Sequence, residues 1–281
     1  MAILKSILVL AALVGSVSAY PSPNLVTGYY TAATDPSKAC RDNSGTYYLF
    51  TTGVGIRIRT STNRVAWTDA GEVWPNGASW TDAYTGTSDG SLWAPDCTYI
   101  SSTGTFWLYY SASTIGSQTS AIFLATSTSG ASGTWTNQGL VTSTTSANNY
   151  NAIDPDLVID GSNWWLVFGS FWNGIQLVPL NSSTGKLSGS SIYSLASWSN
   201  GIEGSGIFKY GSYYYLFASR DKCCLGTSST YNIRAVRSTS ITGPYVDANG
   251  ASFASGGGYL VLETHDSVSP PTDEEPPACC V

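Results

Sequence analysis

The chain is poor in charge and in the residues that metal and triad chemistry use. Only 11% of its 281 residues are charged, and it has one histidine. A single histidine excludes any Ser-His-Asp triad that does not use it. With no CxxC spacing present, it also argues against a zinc site. The formal net charge of −6 argues against nucleic acid and anionic membranes as partners.

Long apolar runs are also scarce. Residues 1–19 are the exception, because Lys5 precedes an apolar run at 7–14 and small residues at 17–19 offer a cleavage site. We predict a secretory signal peptide there. No later stretch approaches the roughly 20 apolar residues that a membrane span needs. The expected protein is secreted, extracellular and monomeric, with no membrane partner.

Aromatic, glycine and hydroxyl residues are abundant instead. The sequence has 10 Trp, 18 Tyr and 29 Gly, which suits an all-β extracellular domain whose surface meets neutral, hydroxyl-rich ligands. The sequon at Asn181 is a candidate glycosylation site. Six cysteines can form disulfides in an exported protein, in a pairing that the sequence leaves open, including a bond between adjacent residues. They are Cys40, Cys97, Cys223, Cys224, Cys279 and Cys280.

After the signal, the chain repeats a β-rich unit of about 50–60 residues. Each unit has a Gly-x-aromatic-aromatic-Leu core and then a second strand-like motif. The cores begin at Gly45, Gly104, Gly161 and Gly211, and the second motifs lie at 56–61, 122–127, 175–180 and 233–238. Units of this length with several strands each are typical of the blades of a β-propeller.

Residues 252–268 look like the start of a fifth unit, after which the chain changes character. Residues 269–281 are rich in proline and acid, and proline removes the backbone donors that a strand needs. We therefore predict an all-β propeller over 20–268 with an incomplete fifth blade, followed by a disordered tail over 269–281.

One acid stands just before each aromatic core, at Asp35, Asp96, Asp154 and Glu203. The first strand of each propeller blade lines the central channel, so we expect these four acids to meet near its axis. Glu203 lies among glycines and apolar residues, a setting that raises the pKa of a carboxyl group towards that of a proton donor.

Crowded carboxylates push one another's pKa values apart, which supplies an acid and a base at the same pH. Hydrolysis of a glycosidic bond needs that pair, together with aromatic faces on which sugars stack. The residues thus indicate a glycosidase, with a sugar-binding propeller that lacks turnover as the alternative.

Four further residues are candidates for substrate binding, each with a structural alternative. Trp93 lines the cleft or is a core indole. Asp96 contacts substrate or caps the turn that follows Pro95. Asn151 and Ser170 contact substrate or satisfy backbone groups.

Taken in order, several motifs resemble those of glycoside hydrolase family 43, specifically its secreted fungal endo-1,5-α-L-arabinanases. The resemblance covers about residues 24–268. It rests on Thr34-Asp35-Pro36-Ser37, Leu92-Trp93-Ala94-Pro95-Asp96, Asn151-Ala152-Ile153-Asp154-Pro155, Gly169-Ser170-Phe171-Trp172, Gly201-Ile202-Glu203-Gly204 and Ser219-Arg220-Asp221-Lys222-Cys223-Cys224. It implies a five-bladed propeller that hydrolyses internal α-1,5 links of arabinan without an organic cofactor. An exo-acting arabinofuranosidase or a xylosidase of the same family is the alternative.

The resemblance also implies an inverting mechanism. Asp35 would be the general base that activates water, and Glu203 the general acid that protonates the leaving oxygen. Asp154 would tune the pKa and orientation of Glu203, and its Asp-Pro match favours it over the neighbouring Asp156. Inversion needs the base and the acid roughly 6.5–9.5 Å apart, which leaves room for the water.

Two implications concern the C-terminal part. His265 corresponds to a histidine near a bound metal, often calcium, so we predict a metal there. The family continues with further strands beyond the position of 265–268, where this sequence has its proline-rich tail. The resemblance therefore implies a truncated or altered C-terminus.

Overall fold

In the computed structural model, which describes residues 25–263, almost all regular structure is β-strand. The predicted signal at 1–19, His265 and the predicted tail at 269–281 lie outside the described residues. In chain order the strands are β1 Thr27–Gly28, β2 Cys40–Arg41, β3 Tyr47–Thr51, β4 Gly53–Val54, β5 Arg57–Ser61, β6 Ala66–Glu72, β7 Ser91–Ile100, β8 Thr105–Ala112, β9 Ser120–Ser127, β10 Thr136–Thr144, β11 Asp156–Asp160, β12 Asn163–Ser170, β13 Gly174–Leu180, β14 Tyr193–Ala196, β15 Ile202–Tyr210, β16 Tyr213–Arg220, β17 Asn232–Ser238 and β18 Tyr259–Glu263.

Helical structure is limited to single turns. The α-helix α1 covers Asp82–Thr85, and 3₁₀ turns cover Ser79–Thr81, Gly226–Ser228 and Phe253–Ser255. Over the described range, no helix is long and apolar enough to cross a membrane.

The strands form four sheets, which are four blades of a propeller. Their strand orders are β1-β6-β5-β3-β2, β10-β9-β8-β7-β4, β11-β12-β13-β14 and β15-β16-β17-β18. Neighbours within a blade are antiparallel, apart from the parallel pair of β1 and β6. Blades are joined in space mainly through their inner strands, since β7 contacts β3 and β11, and β11 contacts β15. The predicted all-β propeller is thus confirmed.

The sequence repeats correspond to the central strands of each blade. The four aromatic cores form β3, β8, β12 and β16, and the second motifs form β5, β9, β13 and β17. Their alternating apolar residues face the neighbouring blade, because successive strand residues point to opposite faces. Three buried clusters result, one between each pair of consecutive blades.

Residues 252–268 were predicted to begin a fifth blade, and the structure corrects this for 252–263, whereas 264–268 lie outside the described residues. Within this range, β18 pairs antiparallel with β17 and is the outermost strand of the fourth blade. Residues 239–258 between these two strands contain no extended strand, only turns, a 3₁₀ turn and isolated β-bridges that pair Val246 with Arg237 and Ser252. This long connection is why the last strand of the blade resembled the first strand of another in the sequence.

A disulfide joins the first two blades near the channel. Cys40 in β2 is bonded to Cys97 in β7, with the two Cα atoms 6.0 Å apart, and both residues are buried in the cluster between these blades. The sequence had left this pairing open.

An ion network joins the inner strands of all four blades. Lys38 Nζ lies 2.7 Å from Asp156 Oδ1 and 3.1 Å from Asp96 Oδ2. Asp96 Oδ2 also accepts the backbone N–H of Leu157 at 2.9 Å, and Asp156 Oδ2 accepts that of Ile207 at 3.0 Å. Each of these acids therefore binds the backbone of the following blade.

Charge pairing stabilises this network against the cost of burial. Burial raises the pKa of Asp96 to about 6, even though Lys38 opposes the shift. Burial alone would lower the pKa of Lys38, but the charges of Asp156 and Asp96 outweigh it and raise that pKa. Of its two predicted roles, the position of Asp96 favours the structural one.

Replacing Lys38 with Met should show how much the ion network contributes to stability, because it removes the cation that Asp96 and Asp156 share. We expect the free energy of unfolding to fall by roughly 2 kcal/mol at pH 8, less than for a fully buried pair because the Lys38 side chain is 43% exposed. Below about pH 6 Asp96 is protonated in both proteins, so the difference should shrink. Urea unfolding at pH 5 and pH 8 measures it.

Lys209→Met is the matched control, since Lys209 forms a more exposed pair with Asp160. Its loss should stay below about 1 kcal/mol at both pH values. A Lys38→Met effect that equals the control, or does not depend on pH, would contradict this account.

Candidate active site

Each inner strand carries a left-handed bend near its start. The backbone φ angles of Asp35, Ala94, Asp154 and Gly204 are 43°, 40°, 52° and 58°. The first three residues each precede a proline, which further restricts their conformation. Non-glycine residues in such conformations cost on the order of 1–3 kcal/mol and cluster at functional sites. The bend places the side chains of Asp35 and Asp154 at equivalent points of two blades.

The other two predicted acids do not occupy this equivalent point, which corrects the expectation that all four meet. In the second blade the left-handed residue is Ala94. Asp96 lies beyond the irregularity that this bend introduces, pairs with Tyr109 in register, and belongs to the ion network. The offset cannot be read from the sequence, because each acid stands at a similar distance from its aromatic core.

In the fourth blade, Glu203 lies one position before the left-handed Gly204. It pairs in register with Ser219, just as Trp93 pairs with Ser111 in the second blade. Trp93 is thus the counterpart of Glu203, and it is half-buried.

Asp35, Asp154 and Glu203 nevertheless share one site, although they come from three blades. After burial, the charges of Glu203 and Asp35 raise the pKa of Asp154. The charge of Asp35 likewise contributes to the raised pKa of Glu203. Carboxyl groups that perturb one another in this way lie within a common electrostatic environment. The structure therefore brings together the three predicted catalytic acids.

Asp35 is held by a threonine that is itself held by the next blade. Thr52 Oγ1 donates to Asp35 Oδ2 at 2.6 Å and accepts the backbone N–H of Ala94 at 2.8 Å. Burial raises the pKa of Asp35, and the hydrogen bond from Thr52 opposes this. The carboxylate has one oxygen anchored in a fixed direction.

Asp154 links the second and fourth blades. Its backbone N–H donates to Ser111 Oγ at 3.0 Å, and its Oδ2 accepts the N–H of Gly204 at 3.0 Å. Because Gly204 follows Glu203 directly, Asp154 positions the piece of strand that carries Glu203. Burial and the nearby negative charges raise the pKa of Asp154 well above its ordinary value.

Glu203 lies in β15 among groups that keep it largely desolvated. Burial raises its pKa to about 7, with further increases from Cys223 and Asp35. The Tyr231 hydroxyl donates to Glu203 Oε1 at 3.0 Å and opposes the rise. A carboxyl group with a pKa near neutrality can donate a proton at the pH at which a normal carboxylate is ionised.

Sequence reasoning missed Tyr231 and gave Cys223 no role, although Cys223 belongs to one of the motifs that carry the resemblance. Both residues lie in the connection between β16 and β17, and both interact with Glu203 from there. No local pattern marks such a contact, since it depends on strand register.

A cavity of about 530 Å³ opens at the start of the segment that leads into β15, and none of the three acids is among its lining residues. Gly201, two residues before Glu203, forms part of its wall. The Gly201 backbone has φ 106°, and a Cβ there would lie 2.4 Å from the Phe171 ring, so glycine allows this ring its position. Other lining residues are mainly aromatic and amide side chains, among them Trp172, Asn149, Asn173, Asn200 and Gln118.

Phe171 and Trp172 were not predicted as site residues. They form a turn directly after β12 and remain 38% and 41% exposed. Two adjacent exposed aromatics after a strand are the signal that could have identified them, because solvent exposure of such residues marks binding surfaces.

The remaining predicted residues have distinct surroundings. Ser170 is fully buried, and its Oγ accepts the backbone N–H of Trp172 at 3.0 Å, which fits its backbone-satisfying alternative. Asn151 is 4% exposed, and its Oδ1 accepts no hydrogen bond from the described residues.

The predicted metal at His265 cannot be placed, because His265 lies outside the described residues. Across 25–263, no three His, Cys, Asp or Glu side chains are grouped so as to hold a metal ion. Calcium near His265 stays a prediction.

Comparison with known proteins gives consistent relatives. The chain is 44% identical over 237 residues to extracellular endo-α-(1→5)-L-arabinanase 1 of Bacillus subtilis, which covers 82% of this chain and 72% of the relative. It is 41% identical over 266 residues to arabinan endo-1,5-α-L-arabinosidase A of Aspergillus niger, which covers 91% and 80% of the two chains.

Solved structures agree with these relatives. A family 43 endo-arabinanase from Bacillus licheniformis superposes with a TM-score of 0.79 at 44% identity, over 86% of this chain and 84% of the other. An exo-1,5-α-L-arabinanase from a bovine ruminal metagenomic library superposes with a TM-score of 0.75 at 38% identity, over 83% and 80%.

The sequence also matches the family described as Glycosyl hydrolases family 43 over residues 30–266, a span that includes the three acids and every described strand except β1. On this match and on these relatives, the chain belongs to glycosyl hydrolase family 43.

Proposed function

We propose that this protein is an endo-1,5-α-L-arabinanase that hydrolyses internal α-1,5-L-arabinofuranosidic links of arabinan. The observation that carries this is the electrostatic coupling of three carboxyl groups from three blades. One of them, Glu203, lies two residues after Gly201, which lines an aromatic and amide-rich cavity. The identity of 41–44% to proteins named as endo-arabinanases supports the substrate.

Asp35 acts as the general base in this proposal. Its Oδ2 is occupied by Thr52, which leaves Oδ1 to take a proton from water. That water attacks the anomeric carbon from the face opposite the leaving group, so the product has inverted configuration. The role requires ionised Asp35, and the hydrogen bond from Thr52 favours that form.

Glu203 acts as the general acid and gives its proton to the departing glycosidic oxygen as the bond to the anomeric carbon breaks. Its pKa of about 7 keeps it protonated over the mildly acidic range in which Asp35 can be ionised. Asp154 accepts the backbone N–H of Gly204 and so orients the piece of strand that carries Glu203. The titrations of the two acids are linked, since the charge of Glu203 raises the pKa of Asp154.

We assign the binding surface for the sugar chain to the cavity that Gly201 lines, two residues before Glu203. Phe171 and Trp172 offer ring faces, and Asn149, Asn173 and Asn200 offer amides to hydroxyl groups. Trp93, the half-buried counterpart of Glu203 in the second blade, adds a further aromatic surface. The free Oδ1 of Asn151 supports contact with a sugar hydroxyl, because a buried acceptor is costly to leave unpaired.

The proposed cellular location and glycosylation of this protein rest on its relatives and its sequence. Secretion is supported by the B. subtilis relative, which is named extracellular, and by the signal-like residues 1–19. Asn181 is exposed in a turn after β13, where a glycan can be attached. We propose a monomer.

Variants of the two central acids test the catalytic roles. Glu203→Gln should lower kcat on arabinan by roughly 10²–10⁴-fold, because it cannot donate a proton. It should retain most activity on an aryl arabino-oligosaccharide whose phenolate leaves unprotonated. Asp35→Asn should lose activity on both substrates, since water activation is needed for each. Glu263→Gln, an exposed glutamate at the edge of β18, is the control and should be unaffected.

If Glu203→Gln lowers kcat equally on both substrates, Glu203 is not the general acid. If Asp35→Asn keeps full activity, Asp35 is not the general base.

Product sizes test the choice between endo and exo action. An endo enzyme should release a spread of oligosaccharides early from linear arabinan, with a rapid fall in viscosity. The alternative has specific support, because an exo-arabinanase superposes almost as well as the endo enzyme. Release of arabinose or one short oligomer alone, with viscosity nearly constant, would establish the exo alternative.

A further inference from the structure

Two hydroxyl groups lie close to Glu203 within the fourth blade. Ser219 in β16 lies opposite Glu203 in the strand register. Tyr231, immediately before β17, donates its hydroxyl hydrogen to Glu203 Oε1 at 3.0 Å, and the Ser219 and Tyr231 hydroxyls both border Gly204. Ser219 and Tyr231 are 4% and 7% exposed, so water does not compete for this bond.

The use of the single Tyr231 hydrogen limits what the hydroxyl can do next. A tyrosine hydroxyl carries one hydrogen and also accepts. Since that hydrogen is donated to Glu203, the Tyr231 oxygen can act only as an acceptor towards the nearby Ser219 hydroxyl. Burial and the adjacent acids raise the pKa of Tyr231 well above its ordinary value, so Tyr231 remains a donor throughout the working pH range.

We propose that Tyr231 is a positioning residue for Glu203, and that Ser219 orients the Tyr231 hydroxyl. With Oε1 accepting from Tyr231, the proton of the acid form resides on Oε2. The bond also selects one orientation of the carboxyl group, whose terminal torsion is otherwise broad and roughly two-fold. This inference rests on the proposed role of Glu203 as the acid.

Tyr231→Phe tests the proposal, because it removes the hydroxyl and keeps the ring. We expect kcat on arabinan to fall by about 10-fold, as for the loss of a hydrogen bond to a charged group, with KM nearly unchanged. The hydrogen bond stabilises ionised Glu203, so its removal should shift the titration of Glu203 upward by about 1 pH unit. Carbon-13 NMR of glutamate-labelled protein measures that titration, with Glu203→Gln assigning the signal.

Two further variants separate positioning from general damage. Tyr214→Phe removes another tyrosine hydroxyl from the same blade, which donates to Asp160 at 2.5 Å, and should leave the Glu203 titration unmoved. Ser219→Ala should change kcat and the titration in the same direction as Tyr231→Phe but less, and Ser219→Thr should restore both. Ser219→Ala also serves if Tyr231→Phe fails to fold.

The proposal is overturned if Tyr231→Phe leaves the Glu203 titration where it is, whatever happens to kcat. It is also overturned if Tyr214→Phe shifts that titration equally. Because the titration needs no turnover, a wild-type protein inactive on arabinan would defeat the proposed function, while a shifted Glu203 signal would still establish the hydrogen bond.

Discussion

The site depends on hydrogen bonds by which polar side chains in one blade hold the backbone of the next. Thr52 accepts from Ala94, Ser111 from Asp154, and Asp154 from Gly204. A second layer repeats the arrangement, with Asp96 accepting from Leu157 and Asp156 from Ile207. Inner strands near a propeller channel leave backbone N–H groups that the ladders within each blade do not satisfy. These bonds satisfy them and fix the blades relative to one another.

The three proposed catalytic acids are associated with the first of these two layers. Asp154 belongs both to the interblade hydrogen bonds and to the trio of acids, so the contact that positions the fourth blade also positions Glu203. Burying three carboxyl groups costs free energy, because desolvation disfavours their charged forms and raises their pKa values. The left-handed φ angles of Asp35 and Asp154 add to that cost. The second layer, in which Lys38 lies between Asp96 and Asp156, contributes favourable electrostatic attraction that offsets part of this cost.

Much of this organisation could be predicted from the sequence, for identifiable reasons. The aromatic cores repeat because every blade needs the same two buried central strands, so the blades and their strands were predictable. The grouping of the three proposed catalytic acids was predictable because each acid precedes a core. Asp96 fits the same rule but lies two residues after the left-handed Ala94, as Asp156 lies two residues after Asp154, and both belong to the ion network instead. The last strand of the fourth blade was misplaced because its long connection resembles a break between units.

Contacts that depend on three-dimensional register were beyond sequence reasoning. Tyr231 reaches Glu203 across a hairpin, and Phe171 enters the cavity only because Gly201 leaves space for its ring. The pairing of Cys40 with Cys97 likewise follows from the adjacency of two inner strands. In each case the partners are far apart in the chain, and their residue types alone are compatible with many other partners.

The central claim is that acids from three blades share one desolvated site in which Glu203 holds a proton near neutral pH. The pH dependence of kcat/KM on arabinan tests it most directly, because its alkaline limb reports the acid of the free enzyme. The account predicts that the limb falls through one ionisation at about pH 7. A limb at about pH 4.3, the value of an ordinary glutamate, or a rate that stays constant up to about pH 9 would contradict it.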